Sequence, residues 1–412
     1  MLSRPILMLK RLSQKLGVRV LAGSVLALIA VAVAPLFDTL IPDSWKDRFG
    51  AEALLPILNI LATSMLTVTT FSLSVMVNAF RGAASQATPR AYRLHLSDST
   101  TQTTLATFTG AFLFSLTALV LFRAEFFSEA TSVVIFGLTV LWIAAIILAI
   151  LRWIDHLSRL GSMDNTLERV QAGAMPPLRN LMERPVLGAT AVPAGTTPPD
   201  HARALPAPAG GHVQYIDMSR LEECLDKAQA VLLITATPGT HLIEGATLGW
   251  ISGGNADPEQ LAGCFTIGAQ RTMEQDARYG LTVMNEIGLR ALSPGINDPG
   301  TAIEVVRRLT RMLASLSPSR TAVAEFPHVQ MVTLDPSDLL QDGFDSLIRA
   351  GASQPELVAS VLEAMVVLRG SGWPALAEAA ARTREYMLAH ADAALTVEAD
   401  RHWLQRKAAD SA

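Results

Sequence analysis

The sequence predicts an α-helical membrane domain of four transmembrane helices, followed by an α+β cytoplasmic domain with a small β-barrel or sandwich element and a helical C-terminal part. Three observations carry that prediction. Four apolar stretches, at about residues 18–37, 54–80, 105–122 and 131–151, each approach or exceed the roughly 20 residues a helix needs to cross a bilayer core. Half of the 412 residues are apolar and only 17% are charged, a balance that fits a membrane protein. Beyond residue 212, glycines and prolines punctuate short apolar runs as they do between strands, and helical periodicity then takes over. The chain divides at the sequence level into a four-span domain over 1–160, an exit helix and Pro/Ala/Gly-rich linker over 161–212, and the α+β domain over 213–412.

The first span follows Arg4, Lys10, Arg11 and Lys15 and ends Ala30-Val31-Ala32-Val33-Ala34, which has the small-residue look of a signal-peptide cleavage site. Pro35 directly after it disfavours cleavage, and the run is long for a signal peptide, so an uncleaved anchor is expected. Lys and Arg are dense before span one and between spans two and three (Arg81, Arg90, Arg93), and sparse after spans one and three. The positive-inside rule then puts both termini in the cytoplasm. Cys224 and Cys264 stand outside any C-x-x-C spacing and are read as reduced thiols, as that compartment favours.

The second span carries Asn59, Thr63, Thr67, Thr70, Ser74 and Asn78 at steps of four, four, three, four and four, which places all six on one helical face. Unpaired polar groups against lipid cost a few kcal/mol each, so this stripe must face protein or water. Helix–helix packing, a water-lined pathway and a lipid or ligand site all satisfy that demand. No Asp, Glu, Lys or Arg lies inside the span, which gives no support to a proton relay or a charged selectivity ring. One polar face per chain cannot enclose water, so the pathway reading requires a symmetric homo-oligomer. Thr107, Gly110, Ala111 and Ser115 of the third span read as a packing seam, and Trp142 and Trp153 mark the fourth as a lipid-facing helix with an interfacial anchor. Between spans two and three, Gln86, Arg90 and Asp98 are candidates for the cytoplasmic mouth, or the segment lies at the interface with its arginines on lipid phosphates. Pro89 breaks the helix there.

Ser85-Gln86-x-Thr88-Pro89-Arg90, then Asp98, Gln102 and Phe108, and much later Arg290-Ala291-Leu292-Ser293-Pro294-Gly295-Ile296-Asn297-Asp298-Pro299-Gly300-Thr301-Ala302, resemble the bacterial predicted-membrane-protein family of domain of unknown function 2254. The resemblance runs from about residue 10 to 370 and implies several N-terminal spans, a cytoplasmic C-terminal region and residence in the bacterial inner membrane. It implies no activity.

In the cytoplasmic part, Asp164 to Met182 reads as an exit helix and Pro185 to His212 as a flexible linker or surface loop. Val213 to Asp217 alternates like a strand, and Ser219 with Glu222 forms a capping box. Ala230 to Thr235 and the Gly-punctuated run to Ile251 read as further strands. A helix carrying Arg271, Glu274, Asp276, Arg278 and Glu286 stops at Ser293-Pro294-Gly295, and the next starts with Asp298 as N-cap and Pro299 at its first turn. Ser293, Asn297 and Asp298 form a candidate ligand or interface loop. The competing reading is a capped corner, because the Asp298 carboxylate would itself occupy the free N–H groups that attract an anion. A strand at 328–334 and helices at about 337–349, 355–369 and 374–407 complete the chain.

The formal net charge of −4 lacks the basic excess that nucleic-acid binding uses. No P-loop, G-x-G-x-x-G, G-x-S-x-G or H-E-x-x-H pattern occurs, and the eight histidines lack metal spacing. The expectation is therefore no enzyme, no metal, no cofactor and no nucleic-acid partner. It is a multi-pass protein of the lipid bilayer, a homo-oligomeric channel-like pathway for a small ion or solute with a cytoplasmic collar. The alternative is a membrane-anchored sensory or scaffolding protein whose cytoplasmic domain binds a ligand or partner.

Overall fold

The computed structural model describes residues 16–42, 45, 51–86, 88–91, 98–159, 161–318 and 323–410. The basic flank Arg4 to Lys15 and the flanking charges Asp43, Lys46, Asp47, Arg48 and Arg93 lie outside the described residues. Two compact units emerge, one formed by residues 2–85 and 92–166, the other by 86–91 and 167–412.

The first unit contains α1 (Leu16–Val33), a 3-10 turn (Ala34–Leu40), α2 (Ala51–Gln86), α3 (Ser99–Arg123) and α4 (Glu129–Arg159). These hold four candidate spans, Gly17–Thr39, Glu52–Ala79, Thr100–Arg123 and Glu129–Leu157, each covering an apolar stretch of the sequence. Leu54, Leu58, Phe114 and Ile135 bury together among the helices. The seam expected on α3 is present: a Cβ on Gly110 would stand 2.8 Å from the Trp142 ring and 3.3 Å from the Gly23 carbonyl oxygen, a contact only glycine allows. Trp153 corrects its expected role. It is only 5% exposed and packs with Met76 and Leu105 inside the bundle, so it is no interfacial anchor.

α5 (Met163–Glu183), which belongs to the second unit from Leu167 on, leads through a turn at Pro185–Gly188 into β1 (Ala189–Val192), β2 (Arg203–Pro206), β3 (Gly211–Ile216), α6 (Met218–Ala228), β4 (Ala230–Ile234), β5 (His241–Leu242), β6 (Thr247–Gly253), α7 (Pro258–Ala262) and β7 (Phe265–Gly268). Then follow α8 (Tyr279–Ala291), α9 (Pro299–Ala314), β8 (Phe326–Val332), α10 (Pro336–Leu340), a π turn, α11 (Ser346–Gly351), α12 (Pro355–Arg369), α13 (Pro374–Ala394) and α14 (Glu398–Asp410). The strands form a five-stranded sheet in the order β1-β8-β4-β6-β2 and a three-stranded sheet β5-β3-β7. Neither is a closed barrel, which removes the barrel from the expected barrel or sandwich element. β8 lies parallel to both β1 and β4 in the middle of the sheet, and such pairings between segments remote in sequence leave no local turn signal.

The stretch read as a flexible linker instead supplies β1 and β2. Leu205 of β2 is fully buried and gives that strand a core-facing anchor. The capping residue of α6 is Asp217, whose carboxylate accepts the Arg220 amide at 3.2 Å, not Ser219. Glu222, expected in the capping box, accepts from the His328 amide at 3.1 Å and lies 2.7 Å from His328 Nδ1. The helix expected from Arg271 begins only at Tyr279. Before it the chain runs in turns, and Gln275 pairs both ways with the Ile216 backbone, at 2.8 and 3.0 Å, which ties that segment to the end of β3. The long last helix is broken between Ala394 and Glu398. Cys264 is buried without a disulfide, and burial pushes its thiol up to about 12.

Candidate functional site

α2 is 36 residues long, or about 54 Å at 1.5 Å per residue, well beyond the ~30 Å of a hydrocarbon core. Its polar stripe does not turn into its own bundle. Asn59, Thr63, Thr67, Thr70, Ser74 and Asn78 are all exposed, while Leu58, Leu61, Met65, Ser72 and Met76 on other sides of the helix are buried. From Asn59 to Asn78 the stripe runs about 28 Å along the axis, the depth of a bilayer core. Asn59, Thr63, Ser64 and Thr67, with Ile60 and Val68, line an open groove on this face.

The hydroxyls are not idle. Thr63 donates to the Asn59 carbonyl at 2.9 Å, Thr67 to Thr63 at 3.1 Å, Thr70 to Leu66 at 3.1 Å and Ser74 to Thr70 at 2.9 Å. Their hydrogens are thus spent within the helix, and what they present outward is oxygen lone pairs. Among the described residues the two Asn side-chain amides at the ends of the stripe have no hydrogen-bond partner.

The residues expected at a cytoplasmic mouth separate. Gln86 closes α2. Arg90 forms an ion pair with Glu286 within the second unit. Burial pushes the Glu286 carboxyl up, against the Arg90 charge and the Thr88 hydroxyl, which pull it down. Asp98 departs from the expectation of a mouth: it is 6% exposed and is the N-cap of α3. It accepts from the Thr101 hydroxyl at 2.5 Å and lies 2.5 Å from Nε2 of His156 on α4. Its neighbours are therefore in its own bundle, where it ties two helices together.

The loop at Ser293 to Asp298 has the form of a capped corner. Ser293 donates to the Arg290 carbonyl at 2.7 Å, Asn297 takes the left-handed conformation at φ 50°, and Asp298 accepts from the Thr301 amide at 3.0 Å and its hydroxyl at 2.6 Å. The Thr301 hydrogen bonds, side chain first and then backbone, hold the Asp298 carboxyl below the usual carboxylate range. Its stabilising effect is therefore present above the ordinary aspartate range and fades as pH falls through the lower folded value. Asp298→Ala is expected to cost about 1 kcal/mol, the usual loss of an N-cap. Thermal melting of the full chain at pH 7 and again near pH 3 checks this: the gap between variant and wild type should narrow at the acid end.

Sequence reasoning missed a half-buried charge cluster beside α8. Asp276 accepts from Arg271 Nε at 2.8 Å, and Arg278 reaches Asp342 at 2.6 Å and Asp338 at 2.9 Å. The two aspartates on Arg278 lie some sixty residues further on, where no spacing rule connects them. Among the described residues no group of three or more His, Cys, Asp or Glu is placed to hold a metal.

The model of the predicted membrane protein family DUF2254 matches residues 13–366. Uncharacterized proteins of Mycobacterium bovis and of Mycobacterium tuberculosis H37Rv are each 28% identical over 307 residues, covering 72% of this chain. The match spans 58% of the length of these curated relatives. No solved structure matches.

Proposed function

The chain belongs to the predicted membrane protein family DUF2254, and we propose that it is a homo-oligomeric, channel-like permeability protein whose second span lines the pathway. The observation that carries this reading is the outward direction of the α2 stripe. Six polar residues spread over the depth of a bilayer and turned away from their own bundle need a partner surface or water. Bonding of the hydroxyls to their own helix relieves part of that need, but not the amides of Asn59 and Asn78. Several copies arranged around an axis with α2 innermost would place all six against water and leave the apolar faces to lipid.

The same reading places both termini in the cytoplasm of a bacterial inner membrane. The distribution of Lys and Arg supports this. So does the packing of residues 86–91 within the second unit, since the connection between spans two and three then shares that unit's aqueous compartment. The second unit would serve as a cytoplasmic collar or gate, and a small ion or solute would be the permeant.

Substituted-cysteine labelling tests the lining. In a Cys224→Ser background reconstituted in liposomes, Thr63→Cys, Thr67→Cys and Thr70→Cys are expected to react with a charged, membrane-impermeant thiol reagent. Leu141→Cys, at an exposed apolar position of α4, is expected to stay unlabelled. Equal labelling of the stripe and of Leu141→Cys, or labelling of neither, would remove the support for a water-lined stripe.

A further inference from the structure

A cavity of about 260 Å³ opens in the second unit where its three parallel strands end. β1 runs on to Ala194, β4 to Thr237 and Pro238, and β8 to Thr333 and Leu334, all of which line it. In open sheets the carboxyl ends of parallel strands gather ligands, because the loops that follow them leave a crevice. Across the opening stand Asn180 and Arg184 of α5 and the turn after it. In that turn Val186 and Leu187 are buried at φ 48° and 59°. A β-branched valine in the left-handed region costs on the order of 1–3 kcal/mol, and such strain gathers at ligand clamps and switch segments.

The charges of the lining set the chemistry. Asp276 is saturated: its two oxygens accept from Arg271 twice and from the amides of Arg278 and Tyr279. Arg184 gives Nε and Nη2 to Glu325, which leaves its Nη1 without a partner among the described residues. Asp338 accepts from Arg278 on Oδ2, which leaves Oδ1 in the same condition. One cationic donor and one anionic acceptor therefore remain open on the lining of a cavity whose other walls include Leu181, Leu187 and Met331. An anion alone would meet Asp338, and a cation alone would meet Arg184.

We propose that this crevice binds a small zwitterion with an apolar body, of the free amino-acid class, with its carboxylate on Arg184, its ammonium on Asp338 and its aliphatic part against Leu181, Leu187 and Met331. At ~30 Å³ per water the cavity has room for roughly nine waters, space enough for a small amino acid such as leucine. The site is independent of the α2 stripe and of any pathway.

The test is calorimetric titration of the detergent-solubilised full chain with L-leucine. The expected result is saturable binding at one site per chain and a raised melting temperature. Leucinol, which lacks the carboxylate, and isovalerate, which lacks the ammonium, should each bind at least tenfold more weakly. Ala194→Trp plugs the mouth from an exposed position and is expected to weaken leucine binding at least tenfold with an unchanged melting temperature in its absence. Asp338→Asn should weaken leucine binding as much, and if that variant does not fold, Ala194→Trp decides alone. No saturable binding of leucine at millimolar concentration, wild-type binding by Ala194→Trp, or equal binding of leucinol would overturn the proposal.

Discussion

Thr67→Leu is expected to lower the conductance of the protein reconstituted in a planar bilayer at least tenfold, while its expression and melting temperature stay close to wild type. Thr67 sits mid-stripe, with Thr63 one turn before and Thr70 one turn after, and among the described residues its hydroxyl bonds only to the Thr63 carbonyl of its own helix. Removing it breaks no contact between helices. Leucine also suits a helix better than threonine, so the fold has no reason to fail. In a symmetric ring, however, the change occurs in every copy at one level, and a ring of leucines is the kind of apolar constriction that closes a pore by dewetting. Thr67→Ser keeps the lone pair and should conduct like wild type. If Thr67→Leu conducts as well as the parent, the stripe does not line the pathway.

A loss of stability of about 3–5 kcal/mol is expected for Asp276→Ala. The carboxylate is 2% exposed and receives two hydrogen bonds from Arg271 and the amides of Arg278 and Tyr279, the latter at the start of α8. Its removal leaves a part-buried guanidinium without its counter-charge and a helix start without its acceptor, and breaking such a pair costs more than forming it gains. For a unit of this size that is a fall in melting temperature of roughly 10 °C. Asp276→Asn retains one acceptor and should lose less. Thermal unfolding of the two variants beside wild type checks the order. The neighbouring Gly239, at φ 94°, would carry a Cβ 2.3 Å from an Asp276 oxygen, so the carboxylate and the glycine constrain one another.

How much of this was legible in the sequence depended on how local each signal was. The four spans could be read because an apolar run of sufficient length is its own evidence, and the stripe because steps of three and four residues fix a face. Asp298 and Pro299 declared the start of α9 within two residues. The direction of the stripe was not legible, since periodicity says which residues share a face but not what that face meets. Trp153 looked like an anchor by position at the end of a span, and only its packing on Met76 and Leu105 shows it to be core. The barrel or sandwich expected after residue 212 arose from turn residues, which are common to hairpins of any sheet. What decides the architecture is β8, which enters between β1 and β4 from a distant part of the chain. The crevice beyond those strands was invisible for the same reason: Arg184, Thr237 and Asp338 come together only once the sheet has assembled.

The central claim is that α2 faces copies of itself across water. The native mass of the complex, extracted in mild detergent and measured by mass spectrometry, tests it most directly. A single defined species of three or more chains is the result predicted here. A monomer would contradict the account, because one polar face cannot enclose a pathway.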